Sequence, residues 1–392
     1  MIKSFTATTR EIDDPKYAVS EIMTALDLEK NLLKNSIGII SCFSEFVETG
    51  VLKAICDALP FDCIGTTTCL CASGQEIDQL LFAITVLTSD DCEFKTTKAT
   101  ISEDFESTVR ESIDTLFKSS PHNDPIGRDE IKPTLFLGYF PLIKTIGSDV
   151  ILATLDKAIG GIPVFGTVAV DHKMDYSTAL TIHNGEAYRD VLVLGAIYGS
   201  IEMKFEVASI NEDNFRKQRA IITESNGNIL IGVNGKSAIE YLEEIGLTKE
   251  EIANGLGVIP LIVDHKDGTK PVARAVFATT PEGYVVCGGA MPVGATLAIG
   301  RVDVADVLST SETSLKPLLK EDSVLISYSC IARYLVLQTN SSAEAEKIQN
   351  VVDGKNNYIF TISGGEICPL VDSEGVLKNY FHNYTNVFCR LR

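Results

Sequence analysis

Tryptophan is absent from this chain of 392 residues, and histidine is scarce at five. Basic side chains are in deficit: 34 Lys and Arg face 53 Asp and Glu, a formal charge of −19. No basic surplus remains to displace counterions from a phosphate backbone, so no nucleic acid is expected as a partner. An anionic membrane surface is an equally poor one. A basic pocket inside an acidic shell stays open, so the charge leaves room for an anionic small ligand. No Cys-x-x-Cys pair occurs and no His cluster accompanies the ten cysteines, which argues against structural zinc. Cys69 and Cys71 are the one close pair, and several cysteines stand in apolar runs; they read as reduced, buried thiols. The motifs G-x-S-x-G, H-E-x-x-H, the P-loop and G-x-G-x-x-G are all missing.

Long uninterrupted apolar runs are lacking too. The opening residues are broken by Lys3, Arg10, Glu11, Asp13 and Asp14, so no secretory signal is expected. The stretch 283–300 is uncharged, but Pro292 and five glycines break any helix there, and strands with turns fit better. No membrane insertion and a cytoplasmic location are the expectation. What is present is an ordinary globular balance, 45% apolar and 22% charged, over a length of two or three domains.

The first 200 residues alternate helical and strand patterns. Helical spacing covers 17–28, 46–59 and 149–159; compact apolar runs at 36–42, 80–89, 133–140, 162–170 and 190–198 read as strands. Gly65 and Gly166 each stand in a strand that runs into small residues, and His183-Asn184-Gly185-Glu186 suits a hairpin turn. The pattern is that of two copies of one unit: strand, helix, strand with a Gly corner, hairpin. After residue 200 it changes. A helix over 233–246 would be entered through Asn234, and 248–252 reads as a short helix. Segments 258–263, 273–279, 283–288 and 295–300 suggest antiparallel strands. Part of 302–319 and all of 341–351 look helical; 323–330, 358–370 and 385–391 close the chain as strands. The expected class is α/β (α+β): two lobes, 1–200 and 201–392, of mixed, largely antiparallel sheets flanked by helices, with internal repeats.

Unusual residue choices gather near the end of the chain. Arg333 follows an apolar strand and Cys330, and a charge there is costly unless it pairs. Its planar fork suits a carboxylate, either Glu366 or that of a ligand. Gly364 and Gly365 allow exposed N–H groups and close approach. His382 and Asn383 add a switchable ring and an amide. The plain alternative is a buried Arg333–Glu366 pair that fixes two strands, with His382 a core histidine and Asn383 a turn cap.

The strings SYSCIAR (327–333), SSAEAEKI (341–348), FTISGGEICP (360–369) and FHNYTN (381–386) resemble the C-terminal domain of the FIST family. IGTTTCLCASG, VFGTVAV and DVLVLGAI resemble its N-terminal partner domain. Ala332 stands where a Gly before the Arg is usual, and Ser363-Gly364 replaces a more typical aromatic-Gly lead. The resemblance implies a small-molecule sensor in signal transduction, with an amino acid or small carboxylate as ligand. It implies output through a kinase, a cyclase or a chemotaxis component, here a separate protein unless the chain acts alone. It carries over a ligand site of Cys330, Arg333, Gly365, Glu366, His382, Asn383 and Thr385, with no catalytic residue, no metal and no cofactor. In that site Arg333 would hold a carboxylate, Glu366 would accept from an ammonium, and Asn383 and Thr385 would orient the ligand.

Three other classes stay open. A non-covalent haem sensor of nitric oxide would need an axial ligand, His382 first, then His183 and His172. A thiol enzyme would use Cys330, its pKa lowered by Arg333. An adaptor protein would need only the acidic surface and the β-rich lobes.

Overall fold

The computed structural model describes residues 1–119, 132–143, 146–173, 176–247 and 259–392. The short helix expected over 248–252 lies outside them.

Three chain segments fold on one plan. The first runs β1 (Lys3–Thr9), α1 (Pro15–Leu26), β2 (Asn35–Cys42), α2 (Val51–Ala58), β3 (Cys63–Thr67), a hairpin of β4 (Cys71–Ser73) and β5 (Glu76–Asp78), then β6 (Phe82–Ser89). The second runs β7 (Glu93–Thr100), α3 (Phe105–Lys118), β8 (Leu135–Phe140), α4 (Ser148–Ile159), β9 (Val164–Val168), a hairpin of β10 (Thr181–His183) and β11 (Glu186–Tyr188), then β12 (Val191–Tyr198). The third opens with β13 (Met203–Ala208) and is then interrupted. The insertion comprises β14 (Ala220–Asn226), β15 (Ile229–Val233), β16 (Lys236–Ser237), α5 (Ala238–Glu244), β17 (Leu261–Asp264), β18 (Val272–Arg274), β19 (Val276–Thr279), β20 (Val285–Cys287) and β21 (Thr296–Ile299). The plan resumes with α6 (Val304–Leu315), β22 (Val324–Cys330), α7 (Ile331–Leu337), α8 (Ala343–Val352), β23 (Asn357–Ser363), a hairpin of β24 (Glu366–Val371) and β25 (Leu377–His382), and β26 (Asn386–Leu391).

Each segment organises a six-stranded sheet of the same order: β1-β6-β2-β3-β10-β11, β7-β12-β8-β9-β24-β25 and β13-β26-β22-β23-β4-β5. In each, the pair in the middle is parallel (β2/β3, β8/β9, β22/β23) and its neighbours are antiparallel. The outer hairpin of every sheet is lent by another segment, so the three segments exchange hairpins in a ring. One hydrogen bond recurs where each guest hairpin enters: Thr67 N donates to Leu180 O at 2.9 Å, Val168 N to Gly365 O at 2.9 Å, and Ile362 N to Leu70 O at 3.0 Å. Two of these sheets draw strands from both sides of residue 200, β24–β25 completing the second and β4–β5 the third. The mixed, mostly antiparallel architecture with flanking helices is the expected one; the third repeat and the ring are additional.

Strand alternation explains the layers. Inward residues of the three sheets, Ile37 and Ile39, Leu135, Leu137 and Tyr139, Val324, Ile326 and Tyr328, meet in one central core. Outward residues pack under helices, Ile40 and Ile84 beneath α1 and α2, Phe136 and Phe140 beneath α3 and α4, Leu325 and Phe360 beneath α8. Each such side chain contributes roughly 1.5–3 kcal/mol by leaving water. The Gly corners have a steric cause. A Cβ on Gly65 would overlap the carbonyl oxygen of Ile40, and one on Gly166 that of Gly138. Asn184 and Gly185 take positive φ (50° and 79°), the twist a two-residue hairpin needs. Asn234 does not cap the helix after it. It sits at φ 53° in the turn between β15 and β16, and Ser237 caps α5 in a reciprocal box with Glu240.

The insertion forms a sheet of its own, β18-β17-β21-β14-β15-β20-β19, with β16 on β15. Its buried cluster consists of residues from 220 to 299 alone.

Candidate functional site

Folding brings the three predicted segments together. Cys330 ends β22, Glu366 opens β24, and His382 ends β25 directly across from Glu366. Asn383 to Thr385 then lead into β26. Arg333, however, is not on a strand end; it lies in the first turn of α7.

Its partner differs as well. Arg333 Nε and Nη2 donate to Glu344 Oε1 at 3.0 and 2.8 Å, and the two side chains are 0% and 1% exposed. The guanidinium also donates to Val307 O, Thr310 Oγ1, Ser311 Oγ and Tyr384 O. Glu344 further accepts from Ser329 Oγ (2.6 Å) and Asn386 Nδ2 (3.2 Å). Arg333 is therefore saturated within the protein, and neither Glu366 nor a ligand carboxylate shares it. Glu344 was missed because it stands between Ala343 and Ala345 in an amphipathic helix and reads as part of a solvated acidic run with Glu346. Its burial is a tertiary fact.

Glu366 is fully buried. Thr385 Oγ1 donates to its Oε2 at 2.7 Å, and Oε1 has no hydrogen-bond partner. Burial pushes its carboxyl well above the ordinary range, which favours the protonated form. Full burial also leaves no ligand ammonium in reach of it, unlike the role expected for it. Burial also pushes the Cys330 thiol well up, with Glu366 beside it, instead of Arg333 bringing it down. Burial of that kind disfavours the thiolate that a nucleophilic role needs. The Gly364 and Gly365 N–H groups are not exposed, being held by Val168 O and Ser363 Oγ. Gly365 is required because a Cβ there would run into the Phe381 ring. His382 donates from Nε2 to Cys368 O at 2.9 Å, and burial pushes its pKa down to about 4. The ring is thus neutral, with Nδ1 as its free acceptor. Asn383 Oδ1 accepts from Ala275 N of the insertion at 3.3 Å.

The repeat itself singles out this region. Register places Thr66, Thr167 and Thr361 at one equivalent position, facing Thr181, Glu366 and Cys71 respectively. Likewise Asn386 occupies the place of Phe82 and Leu192, and Ser329 that of Cys42 and Phe140. Two copies are apolar there; the third carries the Arg333–Glu344–Asn386 network and the Glu366 acid. Burying polar groups costs free energy that the other two copies avoid.

Immediately beside it a cleft of about 270 Å³ opens between α6 and the insertion. Asn211, Phe215 and Lys270 form one wall, Ser309, Thr310 and Ser314 the other, and His382 borders it. Of the seven predicted residues only His382 reaches this space. Thr310 links both worlds: it lines the cleft and its Oγ1 accepts from Arg333 at 3.2 Å. Lys270 and Thr310 carry no motif signal, since a surface lysine and a helix threonine are common.

The residues do not fit a haem. His382 is 2% exposed and the adjoining walls are hydroxyl- and amide-rich, where a macrocycle needs an apolar slot. His183 Nε2 is 3.0 Å from Thr96 Oγ1, and His172 lies tilted against Phe43 with ring centroids 4.6 Å apart. No metal-ligating cluster occurs among the described residues, and none of their helices is long and apolar enough to cross a membrane.

Comparison with known proteins gives two family matches: a FIST N domain over residues 36–236 and a FIST C domain over 238–369. The junction between them falls inside the insertion, at the entry to α5. No curated protein matches. Among solved structures, one described under "Cyanuric acid hydrolase: evolutionary innovation by structural concatenation" is 9% identical, covers 100% of this chain and 98% of its own, and has a TM-score of 0.34.

Proposed function

The chain belongs to the FIST family, and we propose that it is a cytoplasmic sensor that binds an amino acid or small carboxylate in the cleft between α6 and the insertion. FIST domains are sensory domains of signal-transduction proteins. The output partner is a separate protein such as a kinase, a cyclase or a chemotaxis component.

One observation carries this reading: the cleft abuts the repeat that, among the described residues, holds a buried Arg–Glu pair, and Thr310 belongs to both. Size supports it, since the volume is close to the lower end of the roughly 300–1,000 Å³ typical of small-molecule sites. Chemistry supports it too. Lys270 and the Ser309, Thr310 and Asn211 groups suit a carboxylate, and neutral His382 offers an acceptor to a donor on the ligand. The ligand does not displace Arg333 from Glu344. It touches Thr310, the residue one bond away.

The experiment is thermal denaturation of the full chain against the twenty L-amino acids and a set of small carboxylates. A ligand at 100 times its dissociation constant adds about 2.7 kcal/mol. Lys270→Ala should shrink that stabilisation and leave the unliganded midpoint nearly unchanged, and Thr310→Val should shrink it while lowering the midpoint by about 1 kcal/mol, because it takes an acceptor from buried Arg333. A full-sized shift in both variants would place the ligand elsewhere; no shift with any compound would end the proposal.

A further inference from the structure

Packing divides this molecule at one seam. Around Leu230, Val233, Leu261 and Leu297 the insertion keeps a core whose buried members all come from 220–299. The repeat body keeps its own. Between them lies a smaller layer, Ile262, Ala273, Ala275 and Ala298 against Ile210, Cys330, Ala332 and Tyr384, with Leu370 and Tyr380 of the body resting on the edge of the insertion's core. This layer buries less apolar area than either core, so it holds the two parts together less strongly than each core holds itself.

Polar contacts cross the seam at two places: Tyr380 Oη donates to Asp267 Oδ2 and accepts from Thr269 Oγ1 of the insertion, and a second group gathers around Arg274. Ala290 N donates to Asp149 Oδ2 of the body at 2.7 Å, and Ala275 N donates to Asn383 Oδ1. Arg274, at the end of β18, sends Nη1 to Phe381 O at 2.9 Å; its other bonds, at 3.2 and 3.3 Å, go to Ala273 O and Ala290 O. The Gly288-Gly289 pair makes this approach possible. A Cβ on Gly288 would strike the Asn383 amide, and one on Gly289 would lie 2.9 Å from Arg274 Nε. That pair is a seat for the clamp and cradles no phosphate.

Arg274 is 2% exposed, yet its acceptors are three carbonyls. The other fully buried arginine, Arg333, has a carboxylate. Asp149 is near enough to favour the charge but makes no hydrogen bond with the guanidinium; a cation so weakly compensated recovers hydration whenever the seam parts, so burial at this point opposes docking. Its hydrogen bond to Phe381 O nonetheless grips the residue before His382, while Asn383 is gripped on the other side.

We propose that the insertion opens from the repeat body at this seam as one unit, with Arg274 setting how readily it does so. Opening releases the backbone on both sides of His382 and separates the cleft wall bearing Phe215 and Lys270 from the wall bearing Thr310. Ligand that touches both walls favours the closed arrangement and so shifts the population. That last link rests on the ligand reading given above; the opening does not.

Hydrogen exchange by mass spectrometry on the full, unliganded chain tests it. Seam peptides spanning 272–276, 286–291 and 381–386 should exchange roughly tenfold or more faster than peptides spanning 229–233 in the insertion and 135–140 and 324–330 in the body. Arg274→Met, which removes the charge and keeps the bulk, should slow seam exchange several-fold and leave both cores unchanged. Asp149→Ala should speed it, again at the seam alone. One common rate for seam and cores, or core exchange that moves with the seam in both variants, would overturn the proposal. Adding the amino acid with the largest thermal shift should slow the seam peptides. If no amino acid gives a shift, the ligand reading fails and the unliganded comparison still decides the opening.

Discussion

Glu344 is the residue whose replacement tests the buried network most directly. Glu344→Leu keeps side-chain volume in α8 and removes the carboxylate that accepts twice from Arg333 and also from Ser329 and Asn386. The arginine then stays in a fully buried place, bonded to Val307 O, Thr310, Ser311 and Tyr384 O but with no counter-charge. Summing a charged hydrogen bond of about 1.5–3 kcal/mol for each lost contact would overshoot, because the network acts as a unit. The better guide is the removal of one partner from a buried pair, which costs about 3–5 kcal/mol. Pairing the change with Arg333→Met supplies the control. The double variant buries neither charge, so it should regain at least half of the single variant's loss, a coupling on the order of 1–3 kcal/mol. The assay is urea denaturation at neutral pH, with the insertion's own core expected to give a separate transition that is fitted apart. A loss below about 1 kcal/mol for Glu344→Leu would mean that water reaches the pair. A double variant as unstable as the sum of the singles would mean that the two charges do not sense each other. Either result would refute the account of this core.

Two further outcomes follow from the same coordinates. Burial raises the Glu366 carboxyl above its unfolded value of 4.5, so the native state holds a proton that the unfolded chain loses as pH rises. Its contribution is fully present below pH 4.5 and declines above it. Glu366→Gln should therefore gain stability relative to the natural chain between pH 5 and 8, read from urea midpoints across that range, and a growing deficit with pH would contradict the sign. Gly166→Ala places a methyl against the carbonyl oxygen of Gly138 in a parallel pair at the core; a loss of roughly 1–3 kcal/mol is expected in thermal melting, and an unchanged midpoint would show that β8 and β9 can part to admit it.

The first two repeats could be read from residue patterns, and the third could not. Gly65 and Gly166 mark equivalent corners, and Phe360 stands at the matching place in β23. An insertion of about ninety residues then separates β13 from α6, so the spacing that betrays a repeat is lost. Strands β1 and β7 were passed over because one face of each is half-exposed and rich in Lys, Thr and Ser, which weakens alternation. At the candidate site the sequence pointed to Cys330, Glu366, His382 and Asn383, which folding brings close together. It named the wrong partner for Arg333, since Glu344 lies eleven residues on, in a helix whose buried face only packing defines. It could not point to Lys270 or Thr310, which are ordinary residues in ordinary surroundings.

Local spacing alone determined the α/β class, most helices and strands and the placing of cysteines in buried apolar runs, because these depend on periodicity within a few residues. The ring of exchanged hairpins, the Arg333–Glu344 pairing, the full burial of Glu366 and the cleft beside His382 were decided by the tertiary structure. Each needs groups far apart in the chain to meet where water is excluded, and the free energy of a charge or a hydrogen bond is set by that exclusion rather than by its neighbours in sequence.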